Sequence, residues 1–107
     1  MELEQFESNI GYSFKDREKL KTALTLTSFA NERNILSNEK LEFLGDAVLE
    51  FIISEYLYEN YANLKEGEMT KVRASVVCED SLFKIACKLN FSDFLYLGKS
   101  ERLNRWK

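Results

Sequence analysis

Four acidic side chains recur along a single stretch of the chain, between Asn38 and Glu50. They are Glu39, Glu42, Asp46 and Glu50. On a helix, at about 100° per residue, all four fall within an arc of about 80°. Two carboxylates about 6 Å apart in a cleft repel by roughly 3 kcal/mol, and a bound divalent cation reverses that sign. The spacing therefore indicates a site for a hard cation such as Mg²⁺, with a solvated acidic face as the alternative.

The chain contains no histidine, which limits the chemistry that it can carry. Imidazole general bases, Ser-His and Cys-His dyads and histidine metal sites are all excluded. Cys78 and Cys87 lie nine residues apart, a spacing that fits no zinc site, and we expect both to be reduced and structural or incidental. Any reaction must therefore rely on carboxylates and a hard metal.

The predicted acidic helix also has an apolar side. Its members span roughly 140° to 280° on the same wheel, a stripe wide enough to face a core. Gly45 lies within this stripe, and a glycine in mid-helix costs about 1 kcal/mol relative to alanine. The pattern predicts that another helix approaches closely at Gly45 and that the core covers Leu41, Leu44, Val48, Leu49 and Ile52.

Two apolar residues break this pattern because they project from the acidic side. Phe43 and Ile53 fall at about 40° and 320°, where a monomer would leave them in water. Exposed apolar side chains among acids indicate a partner surface.

Composition favours one all-α domain. The chain has 107 residues, no proline, four glycines and a net charge of -3, so nucleic acid could be attracted only by local basic patches. Its first residues lack the basic start and apolar core of a signal peptide, and no segment is apolar enough to span a membrane. A cytoplasmic location is expected.

Helical periodicity divides the chain into five predicted helices. The first uses Leu3, Phe6 and Ile10 and stops at 9–11, and the second has Leu20, Ala23 and Leu24 on its inner face. Thr25 to Ser37 is predicted as a polar connection. The acidic helix is capped by Ser37 or Asn38 and runs to about Tyr58. After a turn at Gly67, a fourth helix is predicted over 68–77. A fifth helix over 80–89 is capped by Glu79 or Asp80 and ends before Asn90.

Other charged and aromatic residues allow two interpretations each. Lys71 and Arg73 are candidates for phosphate contact, or ordinary solvated charges. The aromatic segment 91–97 could stack on bases, but core packing is favoured. Residues 99–107 form a divergent basic tail.

The stretch Asn38 to Leu49 resembles the signature sequence of the ribonuclease III family, metal-dependent endonucleases of double-stranded RNA. Glu66 to Ala74 resembles the family's second acidic segment, and the similarity extends from about Leu3 to Glu101. The resemblance implies a ribonuclease III endonuclease-domain-like helical bundle over residues 1–98, C-terminally incomplete.

The resemblance also implies roles for individual residues. Glu42 and Asp46 match catalytic, metal-ligating carboxylates, and Glu66 matches an acid that faces the cleft from the second subunit. Phe43 matches an aromatic that the family's dimers insert into a pocket of the partner. Together with Ile53, which only the helical wheel indicates, it is assigned to a homodimer interface. Double-stranded RNA is the implied partner and Mg²⁺ the implied cofactor, with Mn²⁺ as substitute; the residues assigned to RNA binding are Glu39, Lys71 and Arg73.

The chain departs from the family in two places. The family usually has a histidine before a Ser/Thr-aromatic pair, where this chain reads Leu26-Thr27-Ser28-Phe29. The family also completes each metal centre with an Asp and, three residues later, a Glu. In this sequence the only acidic residue after Asp93 is Glu101. We therefore expect impaired catalysis unless a second polypeptide supplies the missing ligands. A non-catalytic dimerisation or RNA-binding module of the same fold is the alternative, and a plain helical interaction domain is a third.

Overall fold

The computed structural model describes residues 2–99, which form six α-helices and one 3₁₀ turn without a β-strand. This confirms the all-α prediction. No helix in this range is long and apolar enough to cross a membrane. The elements are α1 (Glu2–Ile10), α2 (Arg17–Ala23), α3 (Thr27–Arg33), α4 (Glu39–Asn60), α5 (Glu66–Val77), α6 (Glu79–Lys88) and the 3₁₀ turn Phe91–Asp93.

The helix ends follow local chemistry. Gly11, with φ of 73°, ends α1, and Asn90, with φ of 57°, follows the end of α6. Both lie in the left-handed region that glycine and asparagine tolerate best. The Asp16 side chain caps α2 by accepting a hydrogen bond from the Lys19 amide (3.1 Å). The predicted stops at 9–11 and 90 are confirmed.

Two local predictions were wrong. The connection predicted over 25–37 contains α3, because burial of Ala30 and stacking of Phe29 on Tyr96 (centroids 5.4 Å apart) outweigh the polar composition. Helix α5 begins at Glu66, so Gly67 lies in its first turn rather than in a preceding turn. The Lys65 amide donates to Glu68 Oε1 (3.0 Å), and this contact supports the earlier start.

The buried core lies between the first two helices and the aromatic C-terminal segment. Phe6, Leu20 and Leu24 form its centre. The Phe6 ring lies 5.2 Å from Phe91 and 5.5 Å from Phe94, centroid to centroid. These distances are typical of favourable aromatic pairs. The expectation that the aromatic segment packs into the core is confirmed.

The segment after the 3₁₀ turn joins α2 to α3. The backbone carbonyl of Tyr96 accepts a hydrogen bond from the Leu26 amide (3.1 Å), and the Tyr96 amide donates to the Leu24 carbonyl (2.9 Å). Two residues later the Gly98 amide donates to Ser28 Oγ (2.8 Å). A Cβ atom at position 98 would lie 2.7 Å from Ser28 Cβ, so only glycine fits this contact without a shift. The predicted tail at 99–107 lies outside the described residues from 100 onward.

The predicted apolar core stripe of α4 is not buried. Helix α4 packs on α5 with its other side, where Leu57 is buried and Ser54 is half-buried. Leu44, Val48 and Ile52 are exposed, and Leu41 and Leu49 are half-buried. Gly45 also differs from the prediction, since a Cβ atom built there meets nothing within 4 Å. The described residues cover this apolar stripe only in part, at Leu41 and Leu49.

Candidate metal centre and adjoining groove

The start of α4 is held in place by hydrogen bonds to the region around α2. The Asn38 amide donates to the Thr25 carbonyl (2.8 Å), and Asn38 Nδ2 donates to the Ala23 carbonyl (3.1 Å). The Asn38 side chain therefore anchors the helix rather than capping it. Ser37 Oγ accepts from the Glu39 amide (3.3 Å), which makes Ser37 the better of the two predicted caps.

The acidic row of α4 consists of Glu39, Glu42, Asp46 and Glu50, and all four side chains are exposed to solvent. Glu39 accepts a hydrogen bond from Thr27 Oγ1 (2.9 Å). Glu42 and Asp46 follow one turn apart on the same side. Within residues 2–99, no group of three or more acidic or thiol side chains is close enough to hold a metal ion.

The donor set of α4 suits a hard cation that keeps most of its water. Mg²⁺ prefers oxygen ligands and usually takes one or two protein carboxylates. Glu42 and Asp46 supply that number, and their exposure leaves room for bound water. Glu66, the third predicted metal ligand, lies on α5.

A groove of about 300 Å³ lies between α4 and α5 and brings two predicted site residues together. Glu66 and Arg73 both line it. An Arg73 Nη atom donates to Ser54 Oγ (2.8 Å), and Ser54 Oγ donates to the Glu50 carbonyl (2.7 Å). Lys71 is exposed outside this lining.

Ser54 was not among the predicted site residues, although its spacing in the sequence could have identified it. It continues the row of Asp46 and Glu50 at a spacing of four, on the side of α4 that bears the acids. Through its bond to Arg73, Ser54 connects the acidic row to the groove.

The two predicted interface residues differ in exposure. Phe43 is 82% exposed, as expected of a side chain reserved for a partner. Ile53 is half-buried, so the prediction that a monomer leaves it in water is wrong. It lies near the buried Leu57 on the side of α4 that packs against α5.

The cysteines are apart from the acidic row. Both are free and exposed. The hydrogen bond with the Ser81 side chain, reinforced by the Ser81 backbone, lowers the pKa of the Cys78 thiol below its usual value. No acidic side chain joins either thiol in a metal-holding group among residues 2–99.

The fold and the site together define an all-α domain with a candidate divalent-cation site beside a groove that contains an arginine. The chain belongs to the ribonuclease-III-like family, whose model matches residues 16–106.

Individual relatives agree with this assignment. Ribonuclease 3 of Listeria monocytogenes serotype 4a (strain HCC23) is 48% identical over 101 residues, which are 92% of this chain and 44% of the relative. Ribonuclease 3 of Oceanobacillus iheyensis is 49% identical over 105 residues, or 95% of this chain and 46% of the relative. The chain thus spans less than half the length of these relatives.

Solved structures show the same similarity. One nuclease domain of ribonuclease III from Campylobacter jejuni superposes with a TM-score of 0.87 at 43% identity, over 95% of this chain and 69% of that domain. That structure is described for flexibility in a region involved in dimer formation. A second structure of the C. jejuni nuclease domain gives a TM-score of 0.85 at 44% identity, over 94% of this chain and 67% of that domain.

Proposed function

We propose that this chain is a ribonuclease III-type endonuclease domain that hydrolyses phosphodiester bonds of double-stranded RNA with a divalent metal, at a reduced rate. The observation that carries the proposal is the pair Glu42 and Asp46. Both lie in the signature stretch, on one side of α4, and are open to solvent.

Glu42 and Asp46 are the residues that would hold Mg²⁺, or Mn²⁺ in its place. When bound, such an ion supplies an activated water and offsets charge on the phosphate and leaving oxygens. Glu39, bonded to Thr27, braces the start of the acidic row. Glu66 is proposed to complete a centre from across a dimer cleft, as the resemblance implies.

The reduced rate follows from the small number of ligands. Residues 2–99 offer two neighbouring carboxylates and no group of three. An ion bound through two carboxylates is held more weakly than one bound through four. A weakly occupied site reduces turnover in proportion to its occupancy.

Recognition of RNA is proposed to depend on duplex shape. A-form RNA is contacted mainly through phosphates and 2′-hydroxyl groups, so sequence preference should be weak. Arg73 in the groove and exposed Lys71 are the proposed phosphate contacts, with Glu39 near the same surface. Because the net charge is -3, binding must come from these local cations. A cytoplasmic homodimer, joined through Phe43, is the proposed working form.

The test is cleavage of a long, uniformly labelled RNA duplex in Mg²⁺ and in Mn²⁺. We expect slow cleavage to short duplexes, at least tenfold slower in Glu42→Gln. Glu50→Gln is the matched control, because it removes an equally exposed acid from the same row, and its rate should stay within twofold of the parent chain. Equal cleavage by parent and Glu42→Gln would refute the assignment of Glu42.

A second candidate is a non-catalytic dimerisation or RNA-binding module of the same fold. Two observations favour it: no three-ligand group within residues 2–99, and the exposed Phe43 ring. A folded protein that binds duplex RNA or dimerises, but cleaves nothing in either metal, would establish this candidate instead.

A further inference from the structure

The hydroxyl group of Ser54 joins two helices through a fixed pair of hydrogen bonds. It donates its proton to the Glu50 carbonyl, one turn earlier on α4 (2.7 Å). Because a hydroxyl has a single proton, its oxygen can then only accept from other groups. An Nη atom of Arg73 on α5 donates to that oxygen (2.8 Å). The direction of the Arg73 guanidinium is therefore set by a side chain of α4.

Arg73 is a half-buried cation without a carboxylate partner. Within residues 2–99 its guanidinium forms no hydrogen bond or ion pair other than the bond to Ser54. The neutral hydroxyl orients the cation but does not neutralise it, and charges removed from water favour a counter-charge. A guanidinium also keeps further N–H groups that can donate to an anion. Arg73 is thus arranged to bind an anion from outside the chain.

The groove between α4 and α5 has an acidic end and a basic end. Glu66 and Arg73 both line it and are seven residues apart on α5, or about 10 Å along the helix axis. That separation is close to one Debye length at about 0.1 M salt, so Glu66 opposes an anion at Arg73 only weakly. Buried Leu57 and half-buried Met69 also line the groove and lower the local dielectric, which strengthens a contact between charges. A phosphate is therefore favoured at the Arg73 end.

The Arg73 end of the groove lies at a distance from the candidate metal ligands. Ser54 follows Asp46 by eight residues on α4, which is about 12 Å along the helix axis. A phosphate bound at Arg73 is therefore not the one that the metal centre would cleave, but another phosphate of the same duplex. Contacts of this kind fix the register and orientation of a nucleic acid on a protein.

We propose that Ser54 is a positioning residue for RNA binding, which holds the Arg73 guanidinium in the orientation that receives a backbone phosphate away from the cleavage site. A guanidinium that is already held in place loses less freedom when it binds, so the Ser54 contact favours the complex. The inference rests on the proposed function for the identity of the ligand, double-stranded RNA, and deepens it by assigning a role to a residue outside the metal centre.

The test is a double-mutant cycle on the affinity of the purified chain for a short RNA duplex, in buffer without divalent metal. Arg73→Ala should weaken binding about tenfold and reduce the slope of log affinity against log salt by about 1, because it removes one phosphate contact. Ser54→Ala should weaken binding about fivefold, because the cation remains but is no longer held. The double variant should bind no more weakly than Arg73→Ala alone, because Ser54 acts only through Arg73.

Two further variants separate the hydroxyl contact from a general effect on the fold. Ser54→Thr keeps a hydroxyl that can donate to the carbonyl one turn earlier, so its affinity should stay within about twofold of the parent. Ser75→Ala is the matched control on α5, because the exposed Ser75 hydroxyl donates to the Val72 carbonyl (2.7 Å) and does not contact Arg73. Its affinity should also stay within about twofold. All variants should keep the helical circular dichroism of the parent.

Three results would overturn the proposal. The first is absence of duplex binding by the folded parent. The second is equal affinity in the parent and Ser54→Ala. The third is a double variant in which the two losses add, since Ser54 would then act independently of Arg73. Failure of the proposed function looks different: the chain would bind the duplex and show the expected cycle but cleave nothing in Mg²⁺ or Mn²⁺, and the role of Ser54 would stand.

Discussion

Glu39, Glu42, Asp46 and Glu50 share one side of α4 but have different surroundings. Glu39 is held by the Thr27 hydroxyl at the first turn. At position 50 the backbone carbonyl accepts from Ser54, while the carboxylate remains exposed. Glu42 and Asp46 lie between these two anchored turns. Glu42 lies in the first turn of α4 and Asp46 in the next, so the helix holds the two proposed ligands one turn apart.

Metal titration tests whether Glu42 and Asp46, and not Glu50, bind the metal ion. Glu42→Ala and Asp46→Ala should each weaken Mn²⁺ or Mg²⁺ binding at least tenfold, because each removes one of the two proposed ligands on α4. Glu50→Ala should change the affinity less than twofold. Isothermal titration calorimetry measures all three. Unchanged binding in both ligand variants would show that the metal lies elsewhere or does not bind.

At the scale of elements, a buried acid joins α1 to α2. Glu7 is 5% exposed, although it is charged. Its Oε2 atom accepts from the Phe14 amide (2.6 Å), and its Oε1 atom accepts from Arg17 (2.9 Å). A buried carboxylate is tolerated only when it is paired in this way. The contact fixes the turn between the two helices and thereby supports the core around Phe6.

Removing this contact should destabilise the fold. Glu7→Ala leaves the Phe14 amide without its acceptor, and we expect the free energy of unfolding to fall by about 1–3 kcal/mol. Glu18→Ala is the control, because Glu18 is exposed and its pair with Lys21 spans 3.9 Å. Glu18→Ala should lower the free energy of unfolding by less than about 0.5 kcal/mol. Urea unfolding followed by circular dichroism compares them; equal midpoints would contradict a structural role for Glu7.

At the scale of the whole molecule, the chain is more extended than its length requires. Its radius of gyration is 16.2 Å and its extents are 50 × 31 × 24 Å. A compact domain of this length has a radius of gyration of about 13 Å. Apolar residues on α4, α5 and α6 are exposed, so the molecule offers more apolar surface for assembly than a compact domain of the same length.

Light scattering tests assembly through Phe43. If this ring joins two subunits, Phe43→Asp should convert a dimer to a monomer, because the charge cannot be buried without a partner. Leu36→Asp is a suitable control, since Leu36 is 80% exposed and lies outside α4. A dimer mass that Phe43→Asp leaves unchanged would exclude Phe43 from the interface.

Much of the local structure could be predicted from the sequence, because its causes are local. Helix periodicity, the Asp16 cap and the stops at Gly11 and Asn90 depend on neighbouring residues and backbone preferences. The acidic row follows from spacing alone. Helix α3 could not be predicted in this way, because contacts with the distant Tyr96 stabilise it.

Only the tertiary structure decided which side of α4 is covered. Periodicity identifies an apolar face but carries no information on whether the chain itself packs against it. The pairing of Ser54 with Arg73 and the fit of Gly98 against Ser28 join residues distant in sequence. Such contacts depend on how helices meet in space, and spacing along one helix cannot specify them.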